Sequence, residues 1–405
     1  MKKIICTTAV LLCMKIMLAQ NIGIGIDTPA AKLHVTGNVV FSMPNAAPGV
    51  PTEPPPVNGA GRRLMWYPEK AAFRVGYTDA SSWSFDNIGT YSFAAGYNTK
   101  ARSNGAVSIG TGNDVSGLYG TALGYYNRVL GYGGSSIGAA NRSESSYSFT
   151  AGGDNIAKGM WSVAIGNNND AQAENSIAIG AYSFASGKHS VALGKTNIAS
   201  GDYSFAANAY TEARSFNETV FGRYNTLTIP NSSTRWIESD RLFVIGNGTS
   251  DGSRSKDGSR SNALTIFKNG NVGIMTAMPD ARLSVNGNAS KSGGGVWAAW
   301  SDARLKKNIV PYNAGLKEIL QINPVRFQYN ELSGEEDLDQ NYVGIIAQEI
   351  EKILPSTITI KEDDHFKDKR MFDGSELIYT LINAVKEQQQ KIELLEKKIT
   401  LLENK

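Results

Sequence analysis

The chain has 405 residues, with 40 Lys and Arg against 37 Asp and Glu. Three of the basic residues, Lys2, Lys3 and Lys15, lie in the first 19, which leaves 37 of each sign in the remainder. Balanced, interspersed charge gives no electrostatic case for nucleic acid or an acidic membrane as partner. Both cysteines, Cys6 and Cys13, lie in the same opening stretch, so the rest of the chain has no disulfide and no cysteine–metal site.

Residues 1–19 read as a secretory signal. Lys2 and Lys3 precede an apolar run from Ile4 to Leu12, and the small Ala19 precedes Gln20 and Asn21. Lys15 interrupts the stretch, and a buried N-terminal helix is the bland alternative. Leu12 is too bulky to precede a lipid-bearing Cys13. No later apolar run approaches the ~20 residues of a membrane helix. The expectation is a chain secreted or held at the cell surface, with no transmembrane segment once the signal is removed.

Residues 20–41 read as a β shaft segment. Asn21-Ile-Gly-Ile-Gly-Ile-Asp-Thr-Pro29 leads to Ala31-Lys-Leu-His-Val-Thr-Gly37. Asn271-Val-Gly-Ile-Met-Thr-Ala-Met-Pro279 and Ala281-Arg-Leu-Ser-Val-Asn-Gly287 repeat it at an offset of 250. Each copy reads as strand, proline-marked turn, strand, and resembles short shaft segments of phage tail fibres and related bacterial surface proteins. Residues 42–90 read as a proline-rich linker, Pro44 to Pro56, and a β segment. Residues 223–300 read as a further β shaft and linker. They hold the short duplication Asp251-Gly-Ser-Arg-Ser255 and Asp257-Gly-Ser-Arg-Ser261, expected in an exposed loop.

Between these flanks a glycine recurs every 14 residues, at 96, 110, 124, 138, 152, 166, 180 and 194. Asn208 takes the next place and Gly222 the one after. Ser162-Val-Ala-Ile-Gly166, Ser176-Ile-Ala-Ile-Gly180 and Ser190-Val-Ala-Leu-Gly194 are clear copies. The larger apolar residues stand three and one before the glycine, a period of two, so each unit predicts a short strand with those residues on its buried face. One unit cannot bury its own apolar pair; stacked units can, as a parallel solenoid. The S-V-A-I-G unit at this spacing resembles the head repeats of trimeric autotransporter adhesins, over residues 91–222. The resemblance implies a left-handed parallel β-roll, three copies about one axis. Those adhesins are anchored by a C-terminal β-barrel, for which this sequence has no counterpart. The roll reads as a spacer or as a surface for an unidentified ligand or glycan, with Tyr125, Tyr126, Tyr182 and Tyr203 solvent-facing but not assigned as a site.

No cofactor motif is present, and His34, His189 and His365 are scattered without a second ligand type at metal spacing. The one catalytic signal is Ser301-Asp-Ala-Arg-Leu-Lys306-Lys-Asn-Ile309. An apolar segment (Leu316 to Ile322), a strand at Pro324–Tyr329, Tyr342-Val-Gly-Ile-Ile-Ala-Gln-Glu-Ile350 and a helix from about Ser375 follow. This order resembles the intramolecular chaperone domain of endosialidase-type phage tailspikes, a family of self-cleaving serine peptidases. It implies a chaperone domain at 301–384, a scissile bond between Trp300 and Ser301, Ser301 as nucleophile and Lys306 as general base.

Five residues apart, Ser301 and Lys306 meet neither on a helix, where they stand about 140° apart, nor on a strand, where they face opposite ways. The expectation is a bend, or a pair formed between subunits, with cleavage dependent on the assembled trimer. Arg304 and Lys307 are nearby cations able to favour a neutral lysine. Without the resemblance, Ser301–Lys306 reads as a capped polar turn with no chemistry.

Residues 385–405 read as a coiled coil. Its core is Val385, Gln388, Ile392, Leu395, Ile399 and Leu402, an extension of Ile378 and Leu381 in steps of three and four. Lys391 and Lys398 fall at g, Glu396 and Glu403 at e. Isoleucine at a with leucine at d leans to a dimer; Gln388 and the roll pull towards three strands.

The fold expected is therefore mainly β: a trimeric β-roll solenoid, then a small α+β chaperone domain and a coiled-coil helix. The function expected is a secreted, homotrimeric, adhesin-like fibre whose chaperone cleaves its own chain once, with no external substrate. The alternative is a surface-binding module with a non-cleaving trimeriser. A glycan-processing enzyme is disfavoured, since residues 20–290 hold no paired-carboxylate or nucleophile constellation.

Overall fold

Fourteen residues make one full turn of a solenoid here, and that length decides the architecture. The computed structural model describes residues 21–43, 53–250, 259–290, 292, 300–333, 337–362 and 365–404. The residues expected to form a signal, most of the proline-rich stretch and most of the Asp251–Ser261 duplication lie outside them. The chain divides into two units between Asn286 and Gly287.

In the first unit, nineteen strands run from β5 (Phe93–Tyr97) to β23 (Thr219–Arg223), alternating five-residue and two-residue lengths. The long strands join a 16-stranded sheet and the short ones a 9-stranded sheet. Neighbours within the roll are parallel and in register at one repeat, as in Val163↔Ile177 and Gly166↔Gly180. Glycine marks the closest backbone approach: Gly166 has φ 117°, and a Cβ there would sit 2.0 Å from the Gly180 carbonyl oxygen. Asn208, in a glycine place, keeps a positive φ of 81°. The ladder between its strand and β23 omits Ala207 and Asn208, and the Asn208 side chain instead accepts the Gly222 N–H at 3.3 Å. The motif serine closes the preceding turn, Ser162 Oγ donating to the Gly159 carbonyl at 2.6 Å.

The buried face is the reverse of the one expected from the sequence. Ala164, Ala178, Ala192 and Ala206 are fully buried with Ala157, Ala171, Ala185 and Ala199 of the facing sheet. Val163, Ile165, Ile177 and Ile179 are only half-buried, and Ile109, Ile137, Leu193 and Phe221 are exposed. Two sheets joined by tight turns leave an interior one methyl deep, so the small residue goes in and the large pair lines the outer face.

A second column was not anticipated. Three residues past seven of the ten glycine places stand Asn113, Asn127, Asn141, Asn155, Asn169, Asn197 and Asn225, and past the other three Thr99, Ser183 and Thr211, all buried. Asn155 is typical: its side-chain oxygen accepts the Asn169 N–H at 3.1 Å, and its Nδ2 donates to the carbonyls of Ala151 and Gly166 at 3.0 and 2.8 Å. Each amide thus ties three successive segments of backbone.

The flanks are continuous with the same sheet. β3 (Gly61–Tyr67) and β4 (Ala72–Thr78) form an antiparallel hairpin, and β4 lies parallel on β5 with Gly76↔Gly96. In the alanine column stands Arg74, opposite Ala94 and fully buried. Its guanidinium donates to the carbonyls of Phe73, Ser92 and Ala101, and burial pulls its pKa down to about 10. At the other end β24 (Arg241–Asn247) pairs in parallel with β23, then β25 (Asn262–Phe267) and β26 (Val272–Ile274) run antiparallel, and β27 (Leu283–Val285) lies parallel on β26. The segments read as linker are thus partly caps of the roll.

The 250-residue duplication is structural. β1 (Ile22–Ile24) pairs in parallel with β2 (Leu33–Val35) through Ile22↔Leu33, as Val272 does with Leu283. Asn21 and Asn271 each bond a proline carbonyl, of Pro29 and Pro279. His34 Nδ1 accepts the Ala30 N–H at 3.2 Å, where Ser284 Oγ accepts that of Asp280. A local turn contact accounts for this histidine.

In the second unit α1 (Leu316–Ile319) packs on the 29-residue α3 (Ser375–Glu403). Asn383 Nδ2 donates to the carbonyls of Tyr312 and Ala314. Two hairpins, β28 (Val325–Phe327) with β29 (Tyr342–Gly344) and β30 (Ile358–Lys361) with β31 (Lys369–Phe372), flank α2 (Ala347–Ile350). Among the described residues of this unit, the only buried apolar ones are Leu316, Ile350, Leu354 and Ala384. The heptad residues Ile378, Leu381, Val385, Ile392, Leu395, Ile399 and Leu402 are exposed. No helix of the described residues is long and apolar enough to cross a membrane.

Asn155→Ala removes five side-chain bonds, including those shared with Asn141 and Asn169, and should cost at least about 3 kcal/mol at roughly 0.5–1.5 kcal/mol for each, read as a lower denaturation midpoint. Asn208→Gly should raise the midpoint slightly, because glycine takes a positive φ without strain.

Candidate chaperone and dyad site

The sequence Ser301-Asp-Ala-Arg-Leu-Lys306 folds as a single tight turn. Asp302 is extended at φ −62°, ψ 131° and caps the 3-10 turn Ala303–Leu305, accepting the Arg304 N–H at 2.8 Å. The N–H groups of Leu305 and Lys306 close the turn on the carbonyls of Asp302 and Ala303. The doubling-back brings Lys306 Nζ to 2.8 Å from Ser301 Oγ, with the ammonium donating. The bend supplies the contact inside one chain, and no second subunit is needed to form the pair. The cap of the turn is Asp302; Ser301 stands outside it with its hydroxyl free to meet the lysine.

Arg304, one of the two cations near the lysine, is paired with Asp302. Its guanidinium holds both Asp302 oxygens, Nη2 lying 2.6 Å from Oδ2. This pair depresses the Asp302 carboxyl below its usual range and raises the Arg304 guanidinium above its own. Residues 301–310 are all exposed, and Trp300, on the other side of the Trp300–Ser301 bond, is 90% exposed. Leu305, Ile309 and Val310 form exposed apolar surface beside the dyad. The second sequence motif, Gly344-Ile-Ile-Ala-Gln-Glu349, serves packing: it joins β29 to α2, which buries Ile350 completely.

Residues 301–359 match the family model described as chaperone of endosialidase. Residues 88–113, 157–183 and 185–207 match the model described as YadA head domain repeat. The chain carries an endosialidase-type chaperone domain behind YadA-type head repeats. The chaperone match opens on Ser301, the residue that follows the exposed Trp300.

On the head repeats, Tyr126, Tyr182 and Tyr203 occupy left-handed turn positions and are exposed, as is Tyr125. Tyr125 and Tyr126 meet edge to face, and Tyr203 stacks on His189 at 4.8 Å between centroids. Tyr182 lines an open groove of about 920 Å³ with Asp170, Phe184, Lys195 and Tyr210. Among the described residues no group of three or more His, Cys, Asp or Glu converges as for a metal ion.

The lowered Asp302 pKa gives the dyad turn a pH limit. The stabilisation is complete above the ordinary carboxylate value of ~3.9 and is lost as pH falls through the lower folded value. The Arg304 amide NMR shift should therefore titrate with a midpoint below that ordinary value. Asp302→Asn, which still caps, should remove the transition.

Proposed function

We propose that the chain is an exported, homotrimeric, adhesin-like fibre protein whose C-terminal chaperone brings three chains into register and then severs itself between Trp300 and Ser301. The observation that carries the chemistry is the 2.8 Å contact of Lys306 Nζ with Ser301 Oγ beside the exposed Trp300. Neutral Lys306 takes the Ser301 hydroxyl proton while Oγ attacks the Trp300 carbonyl carbon. The C–N bond breaks, the proton passes to the freed Ser301 amine, and an ester joins Trp300 to Ser301 Oγ. Water then hydrolyses that ester to the Trp300 carboxylate and the free hydroxyl.

The trimer is supported by what one chain leaves uncovered: the Val/Ile face of the roll, the heptad seam of α3 and most apolar residues of the chaperone unit. A lysine acts as base only when burial or a neighbouring cation removes its proton. With Arg304 held by Asp302, two sources remain, the neighbouring Lys307 and burial of the turn by other subunits, and burial is the one that assembly supplies. Cleavage is thus coupled to assembly through the surroundings of the dyad rather than through its formation. The same exposure favours a second reading, a surface-binding module with an uncleaved trimeriser.

Intact-mass measurement of the purified chain should find fragments ending at Trp300 and starting at Ser301 in wild type and none in Ser301→Ala. Lys306→Met should slow the break by about 10²–10⁴-fold, the usual worth of a general base. The rate per chain should fall on dilution below trimer dissociation. An intact wild-type trimer would establish the second reading.

A further inference from the structure

We propose that the free edge of β1 is a docking site for an antiparallel β-strand donated by a separate polypeptide. The duplicated module shows what covers such an edge. In the second copy, β26 has β27 on one side and β25 on the other, through Leu264↔Ile274, Thr265↔Gly273 and Ile266↔Val272. In the first copy, among the described residues, β1 has only β2, in a two-stranded sheet. The corresponding bonds are conserved between the copies, with Ile22 N–H donating to Lys32 as Val272 does to Arg282, and Thr36 to Ile24 as Asn286 does to Ile274. The two β1-type strands therefore present the same second edge.

The register of that edge can be read from the covered copy. Phe267 N–H donates to the Asn271 carbonyl and Met275 N–H to that of Ala263. By the period of two, Asn271, Gly273 and Met275 face β25, and Asn21, Gly23 and Gly25 are their counterparts. The incoming strand would set apolar residues, as Leu264 and Ile266 are set, against Ile24 and Ile22. Both are more open than in the covered copy: Ile24 is 55% exposed against 42% for Ile274, and Ile22 is 61% exposed where Val272 is half-buried.

The donor is not the chain's own β25, because both of its edges are taken, by β24 and β26. The residues at the matching offset, Leu12 to Met17, fall in the signal and leave with it on the export reading above. Recognition by main-chain pairing with alternate apolar side chains is strand addition, and the partner chemistry is an extended segment patterned like Asn262-Ala-Leu-Thr-Ile-Phe267.

A fluorescent peptide of residues 259–270, added to the exported chain (residues 20–405), tests this by anisotropy. Saturable binding at one peptide per chain is expected. N-methylation at Thr265, whose N–H would face Gly23, should weaken binding at least tenfold, while N-methylation at Leu264, whose N–H points away, should leave it unchanged. Absent binding, or equal loss with both methylated peptides, overturns the proposal. So does a peptide excluded from the intact trimer, which would mean that another copy of this chain already fills the edge. Sedimentation of the same samples reports the trimer independently of the edge.

Discussion

Everything in the first unit depends on in-register stacking, with each residue lying on its equivalent one turn away. A position in the repeat becomes a column, and the column must tolerate being next to itself. Glycine satisfies this where backbones meet most closely, Gly166 against the Gly180 carbonyl. Asparagine satisfies it because an amide both donates and accepts, so Asn141, Asn155 and Asn169 form a chain of like bonded to like. Small residues satisfy it inside, alanine at most turns and Val115, Val129, Val220 and Val244 at others.

This constraint makes the interior a weak source of stability. A buried methyl contributes about 0.8 kcal/mol, and each strand adds little more. Backbone ladders and asparagine columns hold the turns together, while the large apolar side chains remain on the outside as Val163, Ile165 and their equivalents. A solenoid must also be stopped at both ends, since an open sheet edge invites pairing. The two hairpins do this, and buried charge goes with them. Arg74 answers carbonyls at the first turn. At the last, Glu218 accepts the N–H groups of Arg214 and Ser215, with its pKa raised by burial, and Arg241 donates to Thr226.

The periodic part of this was legible in the sequence because a column is a spacing. The glycine places, strand positions, duplicated module and long final helix all follow from repeats and heptads. The asparagine column is equally periodic, at three residues past seven of the ten glycine places, but asparagine is also ordinary turn composition and so does not announce itself. The buried face is not legible from residue size, because larger side chains point inward in a thick core but not between two sheets as close as these. The caps carry no period, so Arg74 and Arg241 gave no sign of being buried. At the dyad the spacing of five was read correctly as irregular. The missing step was Asp302, a capping residue directly after the serine, which turns the chain back within three residues.

That step changes where regulation of the dyad has to reside. Had Ser301 and Lys306 come from different subunits, assembly would create the pair. If the pair is catalytic, as proposed, a contact already made within one exposed turn needs something else to hold it idle, and exposure of the turn to water would do so. On the proposed reading, the exposed apolar residues Leu305, Ile309 and Val310 then have a purpose. They are the surface through which neighbouring chains would exclude water from the turn. Burying them favours the trimer and, in the same act, disfavours the charge on Lys306. The hydrophobic term that assembles the chains and the desolvation that frees the base would be one event, so correct packing becomes the condition for cutting.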